Sequence, residues 1–146
     1  VAVESSGDPW AYRVEPAYPY LVNCRTRQNY RTGVAGLRRA PEDFPGPRGI
    51  TADSEWIGQQ TSWGLMQVMG AVAREHGFAD PFPALCEPLQ GLEYGCRHLA
   101  RLRDRHLEAH GWMGVLDAYN DGTARIERPF DYPHKVAAAG AEWILS

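Results

Sequence analysis

The strongest constraint on the fold is an apolar stripe at helical spacing between Leu89 and His110. Leu89, Leu92, Cys96, Leu99 and Leu102 recur every three or four positions, while Arg97, Arg101, Asp104 and Arg105 fall elsewhere on the turn. A pattern of that length buries one helix face against a partner, so the chain needs further helices to pack on it. Trp112 to Tyr119 supplies a short apolar helix, which Asn120-Asp121-Gly122 ends with turn-forming residues. A last helix is expected after Pro133, a residue suited to a first helical position, with Tyr132, Val136, Ala139 and Trp143 in register. Thr61 to Phe78 reads as a tight turn and then a helix on which Met69, Val72 and Ala73 share a face, with Gly77 as terminator. No strand-like alternation is sustained anywhere, which predicts a mainly helical, all-α fold with room for a short hairpin in the first half.

The 146 residues suit one domain with one core. Between about residues 23 and 58 the pattern lapses into a loop-rich insertion with six arginines, several glycines and prolines, and no period. Segments of that kind are either functional lids or variable surface excursions, and both readings stand. The net charge of -3 argues against a general electrostatic grip on nucleic acid or anionic membrane. No apolar run approaches the roughly 20 residues that would insert across a bilayer. The N-terminus lacks a basic-then-apolar leader, so an export signal is expected to be absent or already removed. Cys24, Cys86 and Cys96 form no C-x-x-C pair and are odd in number, which favours plain thiols over a disulfide framework, with a Cys86 to Cys96 bridge as the alternative. His106 and His110 lie four apart on a helix, yet Glu108 is not placed as in H-E-x-x-H and no third ligand is evident, so no metal is expected. Ser5 and Ser6 lack the Gly-x-Ser-x-Gly setting of a nucleophilic serine.

Three short strings remain: Glu4-Ser5-Ser6-Gly7-Asp8-Pro9, then Ser62-Trp63-Gly64-Leu65-Met66-Gln67-Val68-Met69, then Ala118-Tyr119-Asn120-Asp121-Gly122. Glu4 follows three apolar residues and precedes small ones, so it can end a helix facing a cleft, although taken alone it reads more readily as an ordinary surface carboxylate. Cutting a glycosidic bond needs an acid for the leaving oxygen, which a carboxyl can be near neutral pH in a water-poor setting. In that order, followed by Tyr132 and Val136, the strings resemble the lysozyme-like domain of the lytic transglycosylases and related phage endolysins. The resemblance covers nearly the whole chain outside the insertion.

That resemblance implies a muramidase acting on peptidoglycan glycan strands, with Glu4 protonating the bond between N-acetylmuramic acid and N-acetylglucosamine. Glu4 would then act as base toward the muramic C6 hydroxyl, leaving a 1,6-anhydro end. The attacking group belongs to the substrate, so a second protein carboxylate is not required, and neither is a cofactor. The resemblance further implies that Gln67 and Met69 line the sugar cleft, that Tyr119 directs its hydroxyl toward the acid, that Asn120 holds sugar or backbone nearby, and that Tyr132 is a further cleft tyrosine. Leu65 and Met66 would be core, and Trp10, Trp56 and Trp63 would offer faces to sugar rings or pack inside. A monomer acting at the bacterial wall, phage-encoded and made without a signal peptide, is the expected setting.

The chain departs from the family pattern in three ways. Only three residues precede Glu4, the gap to the Gly-Leu-Met-Gln turn is far longer than usual, and Gly70 stands where proline often opens the next helix. The insertion leaves room for Glu15, Asp53 or Glu55 to enter the cleft and position water, which would make the enzyme an inverting hydrolase. Glu55 is the preferred second carboxylate because Trp56 follows it and the turn lies just beyond. A catalytically silent wall-binding or phage structural module is the remaining reading.

Overall fold

The computed structural model describes residues 1–30, 39–124 and 131–145. Its helices are α1 (Ala2–Ser5), α2 (Ala52–Gln59), α3 (Gly70–Glu75), α4 (Pro88–Asp121) and α5 (Asp131–Ala138), with 3-10 turns at Phe82–Cys86 and Glu142–Leu145. β1 (Tyr12–Val14), β2 (Thr61–Trp63) and β3 (Val68–Met69) form a small antiparallel sheet in that order. Tyr12 lies opposite Trp63, and Trp63 opposite Val68. The fold is therefore mainly helical, as the periodicity predicts, and the hairpin is real. Strands of two or three residues are too short for alternation to show in sequence.

The Gly-Leu-Met-Gln turn joins β2 to β3. Gly64 sits at φ 69, and a side chain there would come 2.3 Å from the Leu85 carbonyl oxygen, so both backbone and space demand glycine. Just beyond the hairpin, a β-carbon on Gly70 would lie 2.1 Å from the Gly58 carbonyl oxygen. Gly70 thus lets α3 lie directly against α2, a role that proline cannot fill.

The end of the insertion is helical rather than loop. α2 starts at Thr51, whose side chain accepts a hydrogen bond from the Ser54 amide, and it buries Glu55, Trp56, Gly58 and Gln59. Trp56 meets Phe44 edge-to-face at 4.9 Å, and Phe44 meets Tyr30 in the same way. Gln59 accepts from the Val22 amide and donates to the Val22 carbonyl, both at 2.8 Å. These contacts pack the described part of the excursion on itself around Trp56 and tie its two flanks together at Val22 and Gln59. Arg31 and Arg38, two of its arginines, lie outside the described residues.

α4 comprises two helical stretches that meet at Gly111 (φ 59, ψ -173), where the backbone leaves helical geometry, so the two helices expected here are present and follow one another directly. Its buried face differs from the expected stripe. Leu89 is 84% exposed and Cys96 is exposed, while Gly91, Gly95 and Leu102 face inward. A β-carbon on Gly95 would touch the Met66 side chain at 2.5 Å, so the helix presses its smallest residues onto the hairpin turn. α5 begins at Asp131, two residues before Pro133, and stops before Ala139. Trp143 lies in the following 3-10 turn and meets Trp112 edge-to-face at 5.3 Å.

Apolar packing falls into clusters joined by α4. One holds Val68, Val72, Ala73, Phe78, Phe82 and Leu85 beside the sheet. Others hold Leu102, Val115 and Ala118, and Leu116 with Ala137 against Tyr132 and Val136. Cys24, Cys86 and Cys96 are free thiols. No helix among the described residues is long and apolar enough to cross a membrane.

Candidate active site

Glu4 sits in the short helix α1, which ends as Ser6 takes a left-handed conformation at φ 54. Ser5 ties this helix to the hairpin: its hydroxyl lies 3.0 Å from the Leu65 carbonyl oxygen and donates to it. Glu4 is half-buried and borders a cavity of about 270 Å³. Val3, Met66, Leu99, Leu116 and Val136 are among its apolar lining, and the polar side chains on it are those of Glu4, Tyr119 and Tyr132.

The two tyrosines share the cavity but differ in their bonds. Tyr132 donates its hydroxyl to Glu4 Oε1. Burial first, and then the Glu4 carboxylate as acceptor and charge, push its ionisation well above the ordinary phenol value, so the group remains a donor. Tyr119 donates at 2.8 Å to the Met66 carbonyl oxygen instead of to the acid. Its ionisation is also raised, by burial and then by the charge of Glu4. The expected pointing of Tyr119 is corrected accordingly. It fixes the turn that lines the cavity, and Tyr132 is the residue bonded to the carboxyl.

Gln67 and Met69 are not among the cavity-lining residues. Gln67 Oε1 accepts from the Ser62 hydroxyl at 2.8 Å, while Nε2 donates to the carbonyls of Ala11 (3.0 Å) and Gly64 (2.9 Å). Its amide closes the hairpin at a strained φ of 47, leaving little capacity for sugar. Met69 packs against the core cluster beside the sheet. Met66 packs against the same cluster, as expected of a core residue, and also lines the cavity. Asn120 is exposed in the last turn of α4, which runs through it to Gly122.

Glu55 is fully buried, and Arg74 grips both its oxygens, from Nε at 2.9 Å and Nη2 at 2.8 Å. Gln59 donates to the same carboxylate at 2.9 Å. A carboxylate held this way cannot activate water beside Glu4, so the second-carboxylate expectation is corrected. Glu15 pairs with Arg13, and Asp53 accepts from the Ala40 amide at 2.8 Å. Among the described residues, Glu4 is the sole carboxylate on the cavity wall. Trp56 is core, Trp63 stacks between Tyr12 and Phe82, and Trp10 is 64% exposed. His106 and His110 have ring centres 5.9 Å apart, and no metal-binding cluster occurs among the described residues.

Sequence alone gave no reason to single out Ser5 as a tether, or Leu99 and Leu116 as cavity wall. The Glu-Ser pair and the helical stripe held the only hints. A carboxyl facing an apolar cavity, steadied by a neutral phenol, can pass a proton to a bound ether and take one back.

Residues 1–140 match the family model of the transglycosylase SLT domain. The chain belongs to that family. It is a peptidoglycan-cleaving lytic transglycosylase, and its substrate places its action at the cell wall. Neither the curated proteins nor the solved structures contain a match to it.

Proposed function

We propose that Glu4 is the acid and base of this transglycosylase. As a carboxylic acid it gives its proton to the oxygen linking N-acetylmuramic acid to N-acetylglucosamine, and the C1–O bond breaks. The resulting carboxylate takes the proton of the muramic C6 hydroxyl as that oxygen bonds to C1. The products are a free 4-hydroxyl on one fragment and a 1,6-anhydro end on the other, with no net consumption of water. The observation behind this reading is the Tyr132 hydroxyl bonded to Glu4 on a wall with no other carboxylate among the described residues. A water-activating hydrolase needs a second carboxyl facing the substrate, and the retention of Glu55 by Arg74 disfavours it. The long insertion supports placing the chain among phage endolysin-type members.

The test combines a variant with product analysis. Glu4→Gln keeps the size of the side chain but has no proton to give, and general acid–base catalysis contributes about 10²–10⁴-fold. Cleavage of purified peptidoglycan is expected to fall by at least about a hundredfold. Mass spectrometry of digests by the unaltered enzyme should show ends lighter by one water than reducing ends. Unchanged cleavage by Glu4→Gln overturns the acid, and reducing ends alone overturn the transglycosylation.

A further inference from the structure

We propose that the outer surface of β1 is a second glycan-binding subsite, built from the rings of Trp10 and Tyr12 and the open strand edge, that holds N-acetylated hexosamine units of the same strand. It rests on the reading of this chain as an enzyme of glycan strands. Two independent features of β1 support it.

The first is a pair of exposed aromatic rings, where exposure of an aromatic is costly. Trp10 is 64% exposed and Tyr12 is 67% exposed, and Val14, on the same strand face as Tyr12, is 47% exposed. The Tyr12 ring is held in place, and the backbone that carries Trp10 is fixed. Tyr12 stacks on Trp63 at 5.9 Å and 25°, which leaves its opposite side to solvent. The Trp10 amide is held by Asp8 Oδ1 at 2.9 Å. Flat exposed rings suit the apolar C–H side of a pyranose, and the stacking that holds Tyr12 lowers the entropic cost of binding on it.

The second is the direction of the backbone. The Ala11 carbonyl accepts from the Gly64 amide at 2.8 Å, and the Glu15 amide donates to the Gln60 carbonyl at 2.7 Å. In an antiparallel ladder alternate residues bond the same neighbour, so Ala11, Arg13 and Glu15 face β2. The N–H and C=O of Tyr12 and Val14 therefore point to the opposite side, where no fourth strand lies among the described residues. An acetamido group offers one N–H and one C=O, the complement of such an edge. Stacking surface and edge together match an N-acetylated sugar better than a plain hexose.

The platform is continuous with the Glu4 site through the hairpin turn. Gly64 and Gln67 bond to Ala11, between the two rings in sequence, while Leu65 bonds to Ser5 and Met66 lines the cavity. One rigid turn thus sets the spacing between the platform and the acid. A second copy of this chain is a poor occupant, since a stable protein interface needs about 20–30 residues a side, and this surface offers three apolar side chains.

Chitohexaose, the hexamer of N-acetylglucosamine, is the probe, titrated calorimetrically into full-length Glu4→Gln protein so that binding is read without turnover. Adding Trp10→Ala is expected to weaken chitohexaose roughly tenfold, and Tyr12→Ser to weaken it in the same direction. Because Trp10 is exposed, its loss should leave the thermal midpoint in place. Equal affinity in all three proteins overturns the subsite, as does a dimer in sedimentation that Trp10→Ala dissolves. A Glu4→Gln enzyme that still cut peptidoglycan would refute the acid while leaving the Trp10 effect on binding intact, so the two failures are distinct.

Discussion

Tyr132 and Tyr119 present the same hydroxyl to different acceptors, and the difference separates their effects. A hydrogen bond to a charged group is worth about 1.5–3 kcal/mol, and Tyr132 makes one to Glu4. Tyr132→Phe keeps the ring against Leu116 and Ala137 and removes only that bond. The expected result is a fall in kcat of roughly 10–100-fold with KM little changed, measured as clearing of purified peptidoglycan. A loss confined to KM would show that the phenol binds sugar and does not steady the acid. At this scale the ordered set of strings singles out Glu4 and Tyr132, and the structure brings the two together on one cavity wall. Gln67, Met69 and Glu55 were not, because a side chain's use depends on partners the string does not name. Ala11 claims the Gln67 amide from 56 positions away, and Arg74 claims Glu55 from 19 away.

Among the elements, the helices with long periods were readable and those shaped by close approach were misread. Of the stripe Leu89, Leu92, Cys96, Leu99 and Leu102, Leu102 is buried and Leu99 packs against it. Leu89 and Cys96 are exposed, however, and the inward face of the first turns follows Gly91 and Gly95, where the helix meets the hairpin turn. Hydrophobicity marks what can be buried, and at a tight contact the smallest residue wins over the most apolar one. The same logic governs the crossing of α2 and α3. Gly70→Ala places a methyl 2.1 Å from the Gly58 carbonyl and 2.8 Å from the Phe82 ring, so the helices must part. Alanine favours a helix by up to about 1 kcal/mol over glycine, but displacing a backbone carbonyl in a packed core costs about 1–3 kcal/mol or more. Urea unfolding should show a net loss of stability of about 1–2 kcal/mol, whereas equal or greater stability would mean that α2 and α3 do not touch there.

Across the whole molecule, α4 links the packing beside the sheet to that around α5, and His98 lies on it between the end of α3 and the cavity wall. Its ring packs on His76, at the end of α3, at 5.8 Å and on Tyr119, from the cavity wall, at 5.4 Å. Burial, and then the positive charge of Arg101, lower its pKa to about 3. An unfolded histidine has a pKa near 6.5, so between about pH 6.5 and 3 the unfolded chain binds a proton that the folded one refuses. Stability therefore rises with pH through that window and is complete above it. On acidification it drains away at up to about 1.4 kcal/mol per pH unit from this group. His76, its pKa also lowered by burial, acts in the same direction. His98→Gln removes the proton uptake while keeping a polar side chain in its place. Thermal midpoints taken from pH 7 down to pH 4 should fall less steeply in the variant than in the parent protein. Parallel curves would place the acid sensitivity elsewhere and not at His98.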